Sequence, residues 1–86
     1  MLPITKRLTI LRILRDAQPY ALPATQLQEE LNRLTRPAVT PVEFAEHIGW
    51  LRDRAYIDFL PDALDPDNAD ARRWVLKEAG AAALLK

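Results

Sequence analysis

The sequence predicts one small α+β domain: helices first, then a two-stranded hairpin and a short closing helix. Apolar residues recur at helical spacing as far as about residue 55 and at strand spacing beyond it. Pro19, Pro23, Pro37, Pro41, Pro61 and Pro66 each stand where an apolar pattern stops or starts. Eighty-six residues, 49% hydrophobic, fit a single core over residues 1–86, below the size at which chains split into domains.

In the first helix Ile4, Leu8, Leu11 and Leu14 recur at helical spacing, Ile10 and Ile13 widen the stripe, and residues 16–19 end it. Residues 20–22, apolar between two prolines, read as a strand stub or extended chain. After Pro23, set at the first helical position, Leu27, Leu31 and Leu34 carry a second helix of about three turns, with Glu29, Glu30, Asn32 and Arg33 among its polar residues. Residues 35–39 leave room only for a turn. Thr40-Pro41-Val42-Glu43 then spells a capping box with proline at the first helical position. Phe44, Ile48 and Leu51 form the buried stripe of this third helix, which should end near Ala55. Residues 56–60 and 72–77 are β-type runs joined by a long loop, about 61–71, and residues 78–86 form an Ala-rich helix too short to persist unless Leu84 and Leu85 dock. The expected core is Leu8, Leu11, Leu14, Leu27, Leu31, Phe44, Ile48, Leu51, Ile57 and Val75.

This order, α-β-α-α-β-β-α, resembles the winged helix-turn-helix superfamily over nearly the whole chain. The junction Leu51-Arg52-Asp53-Arg54-Ala55-Tyr56-Ile57 is similar to the family's passage from third helix to wing, and Leu76-Lys77-Glu78-Ala79-Gly80 to its last helix start. Ala55 stands where the family has glycine, so the helix end either avoids a left-handed residue or is strained by one. The wing loop carries Asp62, Asp65, Asp67 and Asp70 and no basic residue, unlike wings that grip DNA.

The resemblance implies a non-enzymatic DNA-binding regulator of the bacterial or phage type, its third helix in the major groove. Arg33, Arg36, Thr40, Arg72 and Arg73 are candidates for phosphate contacts, with His47 and Arg54 on the third helix. The opposing features are Glu43, Glu46, Trp50 and Asp53, which gather on the side of that helix away from Phe44. They suggest an alternative, an adaptor that binds a protein through this acidic and aromatic face and the acidic wing, with Trp50 as anchor. Trp50 reads equally as packing at the core edge, and the arginines equally as partners of nearby acids such as Asp70 or Glu30. The wide apolar arc of the first helix is either a homodimer face, shared with the last helix, or is covered by that helix.

Twelve Lys and Arg balance twelve Asp and Glu, so no overall basic excess marks a nucleic-acid binder. The lack of cysteine removes disulfides and thiolate zinc sites. His47, the single histidine, leaves little for acid–base or metal chemistry and reads as a polar edge of the core. Residues 65–70 have the carboxylates of a calcium loop without its turn glycine, and Leu76 stands where the bidentate glutamate belongs. No cofactor or metal is expected. With no apolar run long enough to span a bilayer and no secretory pattern at the start, a cytoplasmic location is expected.

Overall fold

The computed structural model describes residues 3–85, with the side chains of Pro3 and Asp70 outside the description. The pairing expected of Asp70 and the helical state expected of Lys86 therefore fall outside the described residues. In chain order the elements are α1 (Pro3–Ala17), β1 (Leu22–Pro23), α2 (Ala24–Leu34), α3 (Pro41–Asp53), β2 (Ile57–Leu60), β3 (Arg73–Leu76) and α4 (Glu78–Leu84), with a 3-10 turn at Ala69–Ala71 before β3. The domain is α+β, four helices on one antiparallel sheet of order β1-β3-β2.

α1 is the central helix. It packs against α2, β3 and α4, which is why its apolar arc is wide: Ile10, Leu11, Ile13 and Leu14 are all buried. Leu8 is only half-buried at the edge of the cluster, a correction to the expected core. α2 starts one residue later than expected, with Pro23 as its extended N-cap. It buries Leu27 and Leu31, while Leu34 is exposed and Thr35 is buried in its stead, its hydroxyl donating to Leu31 O at 2.8 Å.

The turn between α2 and α3 is tied down by α2 itself. Val39, buried in the core, donates its N–H to Asn32 Oδ1 at 2.8 Å and accepts at its carbonyl from Gln28 Nε2 at 3.3 Å. Lys6 reaches across from α1, buried, to donate to the Pro37 carbonyl. α3 opens with the expected capping box, Glu43 N–H to Thr40 Oγ1 and Thr40 N–H to Glu43 Oε1, both at 3.1 Å. It closes with Tyr56 N–H on Leu51 O and Ala55 N–H on Arg52 O, the pair of bonds that define a Schellman motif. Ala55 occupies the left-handed position of that motif at φ 60°.

In the sheet Ile57 pairs with Leu76 and Phe59 with Trp74. Trp74 and Leu76 are therefore the buried residues of β3 and Val75 is half-buried, which corrects the expected inward face by one residue. α4 persists because Ala83 and Leu84 pack on the core. Leu85 does not dock as expected: it caps the helix and is 87% exposed.

Candidate functional site

α3 presents its exposed side between α1 and β2. Phe44, Ile48 and Leu51 face the core, so at about 100° per residue the row opposite them is Val42, Glu46, Gly49 and Asp53. Val42 is 69% exposed, Glu46 and Asp53 are exposed, and a Cβ at Gly49 would touch nothing. This outermost row offers acceptors and apolar surface and no donor side chain.

The flanks of the row are basic. On the α1 side the guanidinium carbons of Arg7 and Arg54 lie 4.1 and 3.8 Å from the centroid of the Trp50 ring. Tyr56 meets the same indole edge-on at 6.1 Å. On the β2 side Arg72 and Arg52 lie 4.0 and 4.6 Å from the centroid of Phe59, which packs edge-on against Trp74. Stacking on an aromatic face holds a guanidinium through the ring quadrupole and leaves its in-plane N–H groups for anionic oxygens. None of these four arginines lies in an ion pair among the described residues. Arg72 Nε is buried without a hydrogen-bond partner, a desolvation cost at this position.

The other expected contacts are placed elsewhere. Arg33 forks onto Glu30, one turn back on α2, lowering the Glu30 pKa through that hydrogen bond. Arg36 donates to the carbonyls of Asn32 and Thr35 at the end of α2. Thr40 is held in the capping box, where its backbone N–H and then its hydroxyl keep the Glu43 carboxyl below its ordinary pKa. His47 is half-buried and accepts at Nδ1 from Arg7 Nε at 3.3 Å. Burial, then the charges of Arg7 and Lys6, push its pKa down against the opposing pull of Glu43 and Glu46.

Arg72 and Arg73, read as a pair, diverge. Successive strand residues point to opposite faces, so Arg72 lies over Phe59 while Arg73 lines a groove with Tyr20, Leu60 and Leu64. Of the seven residues proposed from sequence for DNA, Arg54 flanks α3 on the Trp50 side, with His47 beside it through Arg7, and Arg72 flanks it on the Phe59 side. Arg7 and Arg52 join them; the nearness of Arg7 to Trp50, from the other end of the chain, had no local signal.

Among the described residues no group of three or more His, Cys, Asp or Glu is arranged to hold a metal ion, and no helix is long and apolar enough to cross a membrane. No protein-family model, curated protein or solved structure matches the chain.

Proposed function

We propose that the domain is a winged helix that binds duplex DNA through the phosphate backbone, as a regulatory module and without catalysis. The observation that carries this reading is the set of four guanidiniums, Arg7, Arg54, Arg52 and Arg72, stacked on Trp50 and Phe59 along both flanks of α3. A helix laid in a groove brings its flanks to the two phosphate strands, and preoriented guanidiniums are suited to receive them. The element order supports the fold assignment, since it follows α-β-α-α-β-β-α with only a 3-10 turn added in the loop. With no Arg, Lys, Asn or Gln in the row Val42, Glu46, Gly49, Asp53, base readout by donors is lacking and sequence preference is weak. The loop of residues 61–71 stays off the DNA, because Asp62, Asp65 and Asp67 would approach phosphates as like charges.

This geometry lends the adaptor alternative less support. Trp50 lies under two guanidiniums, and Glu43 is turned back to the Thr40 N–H. Of the four residues it needs, Glu46 and Asp53 are exposed and outside the capping box.

Fluorescence anisotropy with random-sequence duplex DNA, titrated from low to moderate salt, tests the reading. Four phosphate contacts give a slope of log K against log salt of about −3.6. Arg54→Met and Arg72→Met keep the stacked side-chain volume and remove the charge, so each is expected to weaken binding and flatten the slope by about 1. Absence of binding at low salt, where the nonspecific interaction is strongest, would sink the proposal.

A further inference from the structure

A second surface lies on the opposite side of the hairpin. Where the chain enters β1 and where it leaves β2, the segments of residues 19–21 and 60–64 enclose a groove of about 530 Å³ whose rim includes Arg73. Three of the seven large hydrophobic residues exposed among the described residues line it: Leu64 is 95%, Tyr20 76% and Leu60 52% exposed. Large apolar side chains gathered on a small protein mark an interaction surface. Their position is built rather than loose. Leu60 pairs in register with Arg73, and the backbone at Leu64 is held by its N–H, which donates to Asp62 Oδ1 at 2.8 Å.

The charges at the rim select the occupant. Asp62 uses Oδ1 for the N–H groups of Leu64 and Asp65, and neither Asp62 nor Arg73 is in an ion pair among the described residues. A partner that presents a carboxylate to Arg73, a cation to Asp62 and an apolar side chain to the groove complements this surface. The same face of a second copy, turned about a two-fold axis, presents that set, as an isologous interface demands. We infer that this groove is where two copies of the chain dock, Leu64 of each entering the groove of the other and Arg73 meeting Asp62 of the partner subunit. Nine residues line it, against roughly 20 to 30 a side in a standard interface, so the dimer is weak and forms at high micromolar concentration. This surface is distinct from the one expected through the first and last helices, which pack on each other. It leaves Arg7, Arg52, Arg54 and Arg72 open, and it does not depend on the DNA-binding reading.

Sedimentation equilibrium without DNA, from about 10 µM to 1 mM to span the weak range expected of so small a contact, tests it. The mass should rise from 9.8 kDa towards twice that value, while Leu64→Asp and Arg73→Glu each weaken the dimer at least tenfold. Leu64 is almost fully exposed, so Leu64→Asp keeps the wild-type fold, checked by circular dichroism. A single 9.8 kDa species at every concentration overturns the inference and leaves the groove to a foreign protein chain. A dimer indifferent to both substitutions overturns it as well.

Discussion

At Ala55 the chain leaves α3 with φ at 60°, where an L residue crowds its Cβ against the following carbonyl at a cost of roughly 1–2 kcal/mol. The two bonds of the Schellman motif hold it there. Ala55→Gly should therefore raise stability by about 1 kcal/mol, some of the relief being lost to the freer unfolded chain, or ~5 °C in thermal unfolding of a domain this size. A melting temperature equal to or below wild type would show that the turn carries no strain. His47 makes a second prediction, on pH. Its folded pKa is depressed by burial and by Arg7 and Lys6, so the stability it contributes is complete above the ordinary histidine value of about 6.5. That stability is lost as pH falls through the depressed value, because the incoming proton removes the acceptor of Arg7 and sets two cations together. Urea midpoints at pH 7.5 and pH 5 should differ less in His47→Gln than in wild type, and an equal drop in both would refute the assignment. The loss expected from Glu30 and Glu43, whose pKa values are also lowered, begins as pH falls through the ordinary carboxylate range, below most of this window. Ala55 was legible in the sequence from the helix-to-strand junction around it. The bond from Arg7 to His47 was not, because it joins residues 40 positions apart.

The helices were legible because their signals are local. Stripes at i, i+4 and i+7 and the capping box at Thr40 lie within single elements, and all three long helices formed where those signals placed them. β3 was harder, since Trp74, Val75 and Leu76 are consecutive apolar residues and a period of two fits them in either phase. The phase is set by the partner strand: Ile57 and Phe59 face the core and draw Leu76 and Trp74 to the same side. The site was half legible for a related reason. Glu30 and Arg33 stand at i and i+3, a spacing that pairs them on any helix, so Arg33 could be discounted from sequence. That Arg52 and Arg72 converge on Phe59 depends on how α3 meets the hairpin, which no local pattern encodes. α4 depends on tertiary contact as well, and on one position in it. Gly80 is buried against the strand junction, where an added Cβ would overlap the Tyr56 carbonyl oxygen and Leu76 Cδ1. The same Tyr56 carbonyl accepts the Lys77 N–H at 2.9 Å, so the helix cannot lift away without loosening that bond. Gly80→Ala is expected to cost about 2 kcal/mol in urea unfolding, although alanine has the higher helix propensity. A neutral or stabilising result would mean that α4 is free to shift.

Over the whole molecule the charges cancel, 12 against 12, yet they are not mixed. The acids of the 61–71 loop are gathered in one segment, Glu30 is taken by Arg33 and Glu43 by the cap of α3, while four arginines without ion pairs among the described residues surround the open side of α3. A net charge of zero thus conceals a basic frame around the two carboxylates Glu46 and Asp53. If DNA lies against this frame, those carboxylates are the charges nearest the phosphates with no counterion of their own, and they oppose binding. Two like-charge contacts across water at several ångströms amount to about 1 kcal/mol, so Glu46→Gln/Asp53→Asn should tighten binding to random duplex near fivefold at low salt. The gain should shrink as salt is added, because exposed charges are screened within a Debye length. Both side chains are exposed and outside the cap, which keeps folding out of the comparison. Unchanged affinity would place the DNA away from α3. A loss of affinity confined to particular duplexes would instead mean that the carboxylates accept from cytosine amino groups, turning a row that lacks donors into one that reads sequence by acceptors alone.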